Sequence, residues 1–165
     1  MKNWKLDLKN YSSDSIEIHR TAARGIICHN NKYLIIHSKY GDYKFPGGGK
    51  KETESLEENL IREVKEETGF NVIKNSIKLY GHMLEIRKKD EKSKWIMDSY
   101  YYFCEIEKEQ GNKNLDALEK EYEYKSDWMS LEEIIKNNEK VNDFEHVPWV
   151  TRENFVMKEL LKDKK

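Results

Sequence analysis

The segment from residue 48 to residue 70 constrains this chain more than any other. It reads GGKKETESLEENLIREVKEETGF, so glycines enclose a run that is rich in carboxylates and has the spacing of a helix. The apolar residues of the run recur at the interval of one helix face, at Leu56, Leu60, Ile61 and Val64. This pattern predicts an amphipathic helix that packs on the core through these residues.

Three carboxylates of the same helix lie close together. At about 100° of rotation per residue, Glu63, Glu66 and Glu67 fall within an arc of about 100° on one face. Like charges at this spacing repel one another, so the arrangement favours a bound divalent cation. Hard oxygen ligands select Mg²⁺ or Mn²⁺, which keep positions open for phosphate oxygens and water. The alternative is a solvated acidic helix face, the usual meaning of a charge run.

The whole segment resembles the Nudix box, whose pattern is G-x5-E-x7-R-E-U-x-E-E-x-G-U, where U is a bulky aliphatic or aromatic residue. Every position is matched, by Gly48, Glu54, Arg62, Glu63, Val64, Glu66, Glu67, Gly69 and Phe70. At average residue usage, a chance match at a given start has a probability on the order of 10⁻⁹. The hairpin at 20–37 is similar to the family's opening strands, 45–48 to its usual lead-in and 128–133 to its tryptophan-containing strand. Together with the box, the resemblance covers about two thirds of the chain.

The resemblance implies a metal site and a hydrolytic reaction. The implied metal ligands are the carbonyl of Gly47 and the carboxylates of Glu63, Glu66 and Glu67. Glu63 and Glu66 are the expected catalytic residues, and either Glu63 or an acid from a later loop would orient or deprotonate the attacking water. Structural support of the site is expected from Gly48, Glu54, Arg62 and Gly69. Glu54 and Arg62 can form a charge-assisted pair that fixes the loop against the helix.

Two further groups are candidates for the site. Glu119, Glu121 and Glu123 alternate with other residues, so an extended backbone would place all three on one side. There they could supply an additional acid for the site. The alternative is an ordinary solvated strand edge. Relatives that bind nucleoside triphosphates often have an arginine at the end of the second strand, where this chain has His37-Ser38-Lys39. Phosphate contact through His37 or Lys39 is the prediction there, and a surface or core role is its alternative.

The remaining chain predicts an α/β fold. Strands are expected at 20–28, 32–37, 77–86, 95–106 and 122–129, and helices at 55–68, 131–137 and 152–162. Asn30-Asn31 suits a tight hairpin turn between the first two strands. The elements indicate an α/β/α sandwich with a mixed central sheet, the fold that the resemblance also implies. We expect a peripheral strand or arm at 1–18 and one domain at 19–165 that contains the box 48–70.

Composition excludes several classes of protein. The formal net charge of -1 neither attracts nor strongly repels nucleic acid, so the sequence does not point to a nucleic-acid partner. No apolar run approaches the length of a membrane span. The absence of a secretory signal predicts a cytoplasmic protein. We expect a monomer or a homodimer. The two cysteines, Cys28 and Cys104, lie in apolar stretches and are expected to be reduced core residues.

The function expected from these observations is metal-dependent hydrolysis of a diphosphate linkage in a small nucleotide, with a nucleoside triphosphate or another nucleotide derivative as the default substrate. The absence of any proline between Pro46 and Pro148 argues against the ADP-ribose subgroup. Dinucleoside polyphosphates and RNA 5′ ends stay open as substrates. A non-catalytic nucleotide sensor on the same fold is the alternative from another class, although such a protein would be expected to lose a box glutamate.

Overall fold

The box segment forms a capped helix in the computed structural model, which describes residues 1–165. The helix α1 spans Leu56–Thr68, and Ser55 and Glu58 close a capping box at its start. Gly69 ends the helix with φ of 80°, a left-handed conformation that favours glycine. The predicted helix and both of its caps are therefore confirmed.

Three more helices and eleven strands complete the chain. The other helices are α2 (Ala117–Glu121), α3 (Leu131–Asn138) and α4 (Val150–Asp163). The strands are β1 (Lys2–Asp7), β2 (Ile16–Ile26), β3 (Cys28–His29), β4 (Lys32–His37), β5 (Tyr43–Lys44), β6 (Gly47–Gly49), β7 (Phe70–Val72), β8 (Lys78–Lys88), β9 (Ser93–Phe103), β10 (Ile106–Gln110) and β11 (Lys125–Met129). A 3₁₀ turn covers Lys74–Ser76.

The largest sheet is mixed and has the strand order β1-β8-β9-β2-β6. Strands β1 and β8 pair in parallel, as do β2 and β9, whereas β8 pairs antiparallel with β9 and β2 with β6. A second sheet joins β11, β4, β3 and β5, and β7 and β10 form a separate ribbon. The predicted mixed sheet is confirmed.

Helices cover the sheets from two sides. Leu60 and Val64 of α1 pack in one core cluster with Ala23 of β2 and Leu34 of β4, so α1 contacts residues of both larger sheets. Helices α3 and α4 pack in a second cluster on other faces of the sheets, with Phe45 among its members. This arrangement is the predicted α/β/α sandwich.

Several local predictions can be compared with the structure. Asn30 and Asn31 have φ of 50° and 60° and turn the chain between β3 and β4, as the hairpin prediction requires. The strand predicted at 122–129 begins only at Lys125, because α2 and a turn precede it. The core prediction holds for Cys104, which is buried, but is wrong for Cys28, which is exposed. Cys28 sits in the two-residue strand β3, which pairs with β4 alone.

The first residues contribute an edge strand. Strand β1 pairs with β8 along its whole length, and Trp4 and Leu6 pack against the larger core cluster. Strand β2 begins within the 1–18 segment, at Ile16. No helix combines the length and the apolar character needed to cross a membrane.

Candidate active site

Glycines bring the strand β6 against both β2 and α1. Strand β6 pairs with Ala22–Arg24 of β2, and a Cβ on Gly47 would lie 2.2 Å from the carbonyl oxygen of Ala23. A Cβ on Gly48 would lie 2.7 Å from the carboxyl carbon of Glu63. The absence of side chains here therefore lets the backbone of β6 lie directly against the carboxylate of Glu63.

Arg62 links four acceptors of the box. It forms a two-point pair with Glu54, in which the Arg62 Nη2 to Glu54 Oε2 distance is 3.0 Å. Its Nη1 donates to Glu63 at 2.8 Å and to Glu66 at 3.1 Å, and Nη2 also donates to the carbonyl of Gly49 at 3.1 Å. The hydrogen bond from Arg62 lowers the pKa of Glu54 to about 2. The predicted Glu54–Arg62 pair is present, and the same guanidinium also holds the two catalytic candidates.

Glu67 is buried and fully satisfied. Its Oε1 accepts from the backbone N–H of Gly47 at 2.8 Å, and its Oε2 accepts from Lys44 at 3.1 Å. The Lys44 ammonium also lies 3.4 Å from the carbonyl of Gly47. Burial is the largest single influence and would lower the pKa of Lys44, but the charge of Glu67, with smaller contributions from Tyr124 and Glu153, raises the pKa overall. Lys44 was absent from the predicted site, and nothing in its spacing signals that it is buried.

The donor set of the box suits a hard cation, although the acidic side chains do not all converge. No three acidic, histidine or cysteine side chains converge closely enough to hold a metal ion, because Glu63 and Glu66 are hydrogen-bonded to Arg62 whereas Glu67 is hydrogen-bonded to Lys44. Glu63 and Glu66 nevertheless each hold one oxygen on Arg62 and leave the other without a hydrogen bond from the chain. These free oxygens are ligands of the kind that Mg²⁺ and Mn²⁺ prefer, so the residues fit such an ion.

A cleft of about 340 Å³ adjoins the box glycines. Its basic lining residues are Arg20, Arg24, Lys44, Arg87, Lys89 and Arg152. Its acidic lining residues are Asp116, Glu119 and Glu145. Its aromatic lining residues are Trp95, Tyr122, Tyr124, His146 and Trp149. The lining residues themselves carry three more positive than negative charges when histidine is neutral. Part of this excess is offset behind the lining, where Glu67 pairs with Lys44 and two further carboxylates pair with three of the arginines. The exposed donors and the aromatic rings suit an anionic ligand that also carries a flat ring.

A buried ion network forms the floor of this cleft. Arg152 donates to Glu85 at 2.9 Å and lies 3.1 Å from Glu153, and Arg24 lies 3.5 Å from Glu153. Arg87 pairs with Glu85 at 3.2 Å. Three guanidiniums thus share two carboxylates, so the floor is positively charged. Arg24 and Arg152 lay outside the predicted site.

Arg20 stands at the junction of the cleft and the box. Its guanidinium makes no hydrogen bond or ion pair within the chain, lies 6.0 Å from the ring of Trp95 and would be 2.4 Å from a Cβ on Gly49. Although Arg20 keeps an exposed surface, partial loss of solvent around its guanidinium, followed by the charge of Arg24, lowers its pKa. Arg20 and Arg24 are four residues apart on one strand and so share a face. That alternation was the sequence signal that could have found both arginines.

The structure separates the three additional acid candidates. Residues 117–121 are helical, so the extended backbone predicted for Glu119, Glu121 and Glu123 is wrong for this segment. Glu119 lines the cleft and is partly buried, which raises its pKa. Glu121 and Glu123 are exposed and do not line the cleft. Asp116 followed by Glu119 closes a capping box, a helix signal that the alternation obscured.

The two candidates for phosphate contact lie elsewhere. His37 and Lys39 line a separate pocket of about 110 Å³ together with Glu123. His37 stacks on Tyr43 with ring centroids 5.3 Å apart, and burial lowers its pKa. Lys39 lies over the ring of Tyr40. Neither residue reaches the cleft beside the box, so the structure gives the phosphate-contact prediction no support.

Comparison with known proteins gives consistent matches. The family model of the NUDIX domain matches residues 19–150. YtkD of Bacillus subtilis (strain 168), provisionally named 8-oxo-dGTP diphosphatase, is 36% identical over 84 residues. That match covers 50% of this chain and 49% of the relative, so it spans about half the length of each.

Two solved structures share the fold. A NUDIX hydrolase from Nitrosomonas europaea superposes with a TM-score of 0.54 at 17% identity, over 83% of this chain and 88% of that chain. A MutT NUDIX hydrolase from Burkholderia pseudomallei gives a TM-score of 0.53 at 18% identity, over 70% of this chain and 85% of that one.

Proposed function

This chain belongs to the Nudix family, and from that premise we propose that it is a metal-dependent hydrolase that cleaves a diphosphate linkage in a nucleoside triphosphate. The observation that carries the proposal is the position of the cleft. A cavity lined by aromatic side chains and by more basic than acidic residues adjoins the box glycines, and Gly48 lies against the carboxylate of Glu63. A nucleotide carries both a flat ring and negative charge, so it matches this lining. The candidate ligands of Mg²⁺ or Mn²⁺ are the Gly47 carbonyl, Glu63, Glu66 and Glu67. Of the three carboxylates, Glu63 and Glu66 each keep one oxygen without a hydrogen bond from the chain, whereas both oxygens of Glu67 accept one.

A divalent cation in this position would make water a better nucleophile and offset the charge that develops on phosphate oxygens. Arg62 orients Glu63 and Glu66, because one of its nitrogens donates to both. Arg20 has free donors beside Gly49 and binds a phosphate oxygen of the substrate. The aromatic side chains of the cleft wall pack against the base.

Glu119 is the residue that we propose as the base that takes a proton from the attacking water. It is the only one of the three downstream acids that lines the cleft, and burial raises its pKa toward the range in which a general base is efficient. Glu119→Gln should lower kcat by about 10²-fold or more with little change in KM. Glu121→Gln is the matched control from the same helix, and equal kcat values for both variants would remove Glu119 from this role.

The test of the function is product release from a substrate panel. The panel holds nucleoside triphosphates including 8-oxo-dGTP, nucleotide sugars, dinucleoside polyphosphates, coenzyme A and 5′-triphosphate RNA, each with Mg²⁺ and with Mn²⁺. The name of the relative YtkD is the reason to include 8-oxo-dGTP. We expect a nucleoside triphosphate to give the highest kcat/KM, and Glu66→Gln to lower turnover by about 10²-fold or more.

Two outcomes would contradict this proposal. A higher kcat/KM for another class of substrate would contradict the proposed substrate but not the proposed type of reaction. Tight nucleotide binding without product release from any substrate would instead indicate a sensor on the same fold.

A further inference from the structure

Lys44 is buried, with its ammonium against two of the candidate metal ligands of the box. Its side chain is 8% exposed, and its ammonium lies 5.0 Å from the centroid of the Tyr124 ring. The ammonium donates to Glu67 at 3.1 Å and to the Gly47 carbonyl at 3.4 Å. Two of the four ligands proposed for the metal are therefore already occupied by a cation that belongs to the chain.

The candidate ligands fall into two pairs, Gly47 with Glu67 and Glu63 with Glu66, which differ in whether their oxygens already accept hydrogen bonds from the chain. Glu67 has no exposed side-chain surface, and its two oxygens are taken by Lys44 and by the Gly47 N–H. Glu63 and Glu66 share the single donor Nη1 of Arg62 and keep one oxygen each without a protein donor. An entering ion thus finds open ligands on the Glu63–Glu66 side, whereas Glu67 becomes available only if Lys44 withdraws.

We propose that the Lys44 ammonium permanently fills one cation position of the site, between Glu67 and the Gly47 carbonyl, so that metal binds only on the Glu63–Glu66 side. The inference rests on the proposed function for the identity of the metal site. An ammonium is a compact positive charge with three donors, so it neutralises a buried carboxylate without an ion from solution. Lys44 also lines the cleft, so its charge acts on a bound phosphate as a second ion would.

The experiment counts Mn²⁺ ions bound per chain, without substrate, from the electron paramagnetic resonance signal of free Mn²⁺. Lys44→Met removes the charge but keeps the length of the side chain, and it should bind one more Mn²⁺ than the wild-type chain. The double variant Lys44→Met, Glu67→Gln should return to the wild-type number. Lys50→Met is the control, because the Lys50 ammonium contacts only the backbone carbonyls of Lys51 and Glu52.

The single variant Glu67→Gln tests the same inference with a side chain of unchanged size. Because Lys44 already occupies Glu67, this variant should bind as many ions as the wild-type chain. A lower number in Glu67→Gln, or an unchanged number in Lys44→Met, would overturn the inference. If Lys44→Met fails to fold, the number of ions bound by Glu67→Gln still tests the inference.

The same counts separate this inference from the proposed function. A wild-type chain that binds no Mn²⁺, with one ion bound by Lys44→Met, would contradict the metal dependence and support the position of Lys44. A chain that binds no Mn²⁺ in any variant would contradict both. Binding to the wild-type chain with no extra ion in Lys44→Met would contradict the inference alone.

Discussion

Glu153 holds the cleft floor together, and its replacement by glutamine should be among the most destabilising isosteric changes in the chain. The carboxylate is fully buried and accepts from the Phe45 N–H at 3.0 Å and the Tyr101 hydroxyl at 2.8 Å. It also lies 3.1 Å from Arg152 and 3.5 Å from Arg24. Glutamine keeps the shape but removes the charge and presents a donor where four donors already point.

The expected loss of stability follows from the cost of breaking a buried ion pair. Removal of one partner costs about 3–5 kcal/mol, because the remaining charge stays buried without compensation. In a chain of 150–250 residues, 1 kcal/mol corresponds to about 2–4 °C in Tm, so Glu153→Gln should lower Tm by about 6–20 °C. Differential scanning calorimetry would measure this change. Glu139→Gln is the control, because the Glu139–Lys158 pair is about half exposed and worth about 0–1 kcal/mol. Similar Tm values for both variants would refute the reasoning.

The pH dependence of Tm tests the same carboxylate. Burial is the largest single influence and would raise the pKa of Glu153, but the two arginines and the hydrogen bonds from Tyr101 and Phe45 together hold the pKa below the ordinary value of 4.5. A group with a lowered folded-state pKa contributes stability above its unfolded pKa and loses it as pH falls through the folded pKa. The Tm difference between the wild-type chain and Glu153→Gln should therefore stay constant from about pH 7 to about pH 5 and shrink only at lower pH. A difference that already shrinks above pH 5 would assign the effect to other groups.

Three further changes test the cleft, the box and the core. Arg20→Met should raise KM for a nucleoside triphosphate by about 10-fold or more, since a hydrogen bond to a charged group is worth about 1.5–3 kcal/mol, and an unchanged KM would exclude phosphate contact. Gly48→Ala should leave Tm nearly unchanged but lower turnover by about 10-fold or more, because the added Cβ displaces the movable end of Glu63 from its position. Cys28 is exposed, whereas burial raises the pKa of Cys104 to about 12, so a thiol reagent should modify one cysteine in the native chain and two after denaturation.

The sequence predicted the elements whose signals are local. Ser55 with Glu58 and Ser130 with Glu133 mark helix starts, and both capping boxes are present in the structure. The Glu54–Arg62 pair was also predictable, because both residues belong to one short segment. The segment around Glu119 was misread because a short helix and an alternating strand produce the same pattern of charges over five residues.

The cleft floor could not be predicted, because it is built from residues that usually mark a surface. Glu85 and Arg87 alternate with apolar residues along β8, a pattern typical of a strand with one solvated face. Arg152 and Glu153 near the start of α4 have the composition of a solvent-facing side of a helix. Their burial depends on the start of α4 lying against β8 and β9, a long-range contact that no local pattern encodes. The position of Lys44 could not be predicted either, because only the fold brings it into contact with Glu67. The charges that make this cavity suitable for a polyphosphate are therefore a product of tertiary packing, whereas the carboxylates proposed to hold the metal are a product of helix spacing. For this reason a sequence motif can identify the family of this chain, whereas the proposed substrate rests on the cleft.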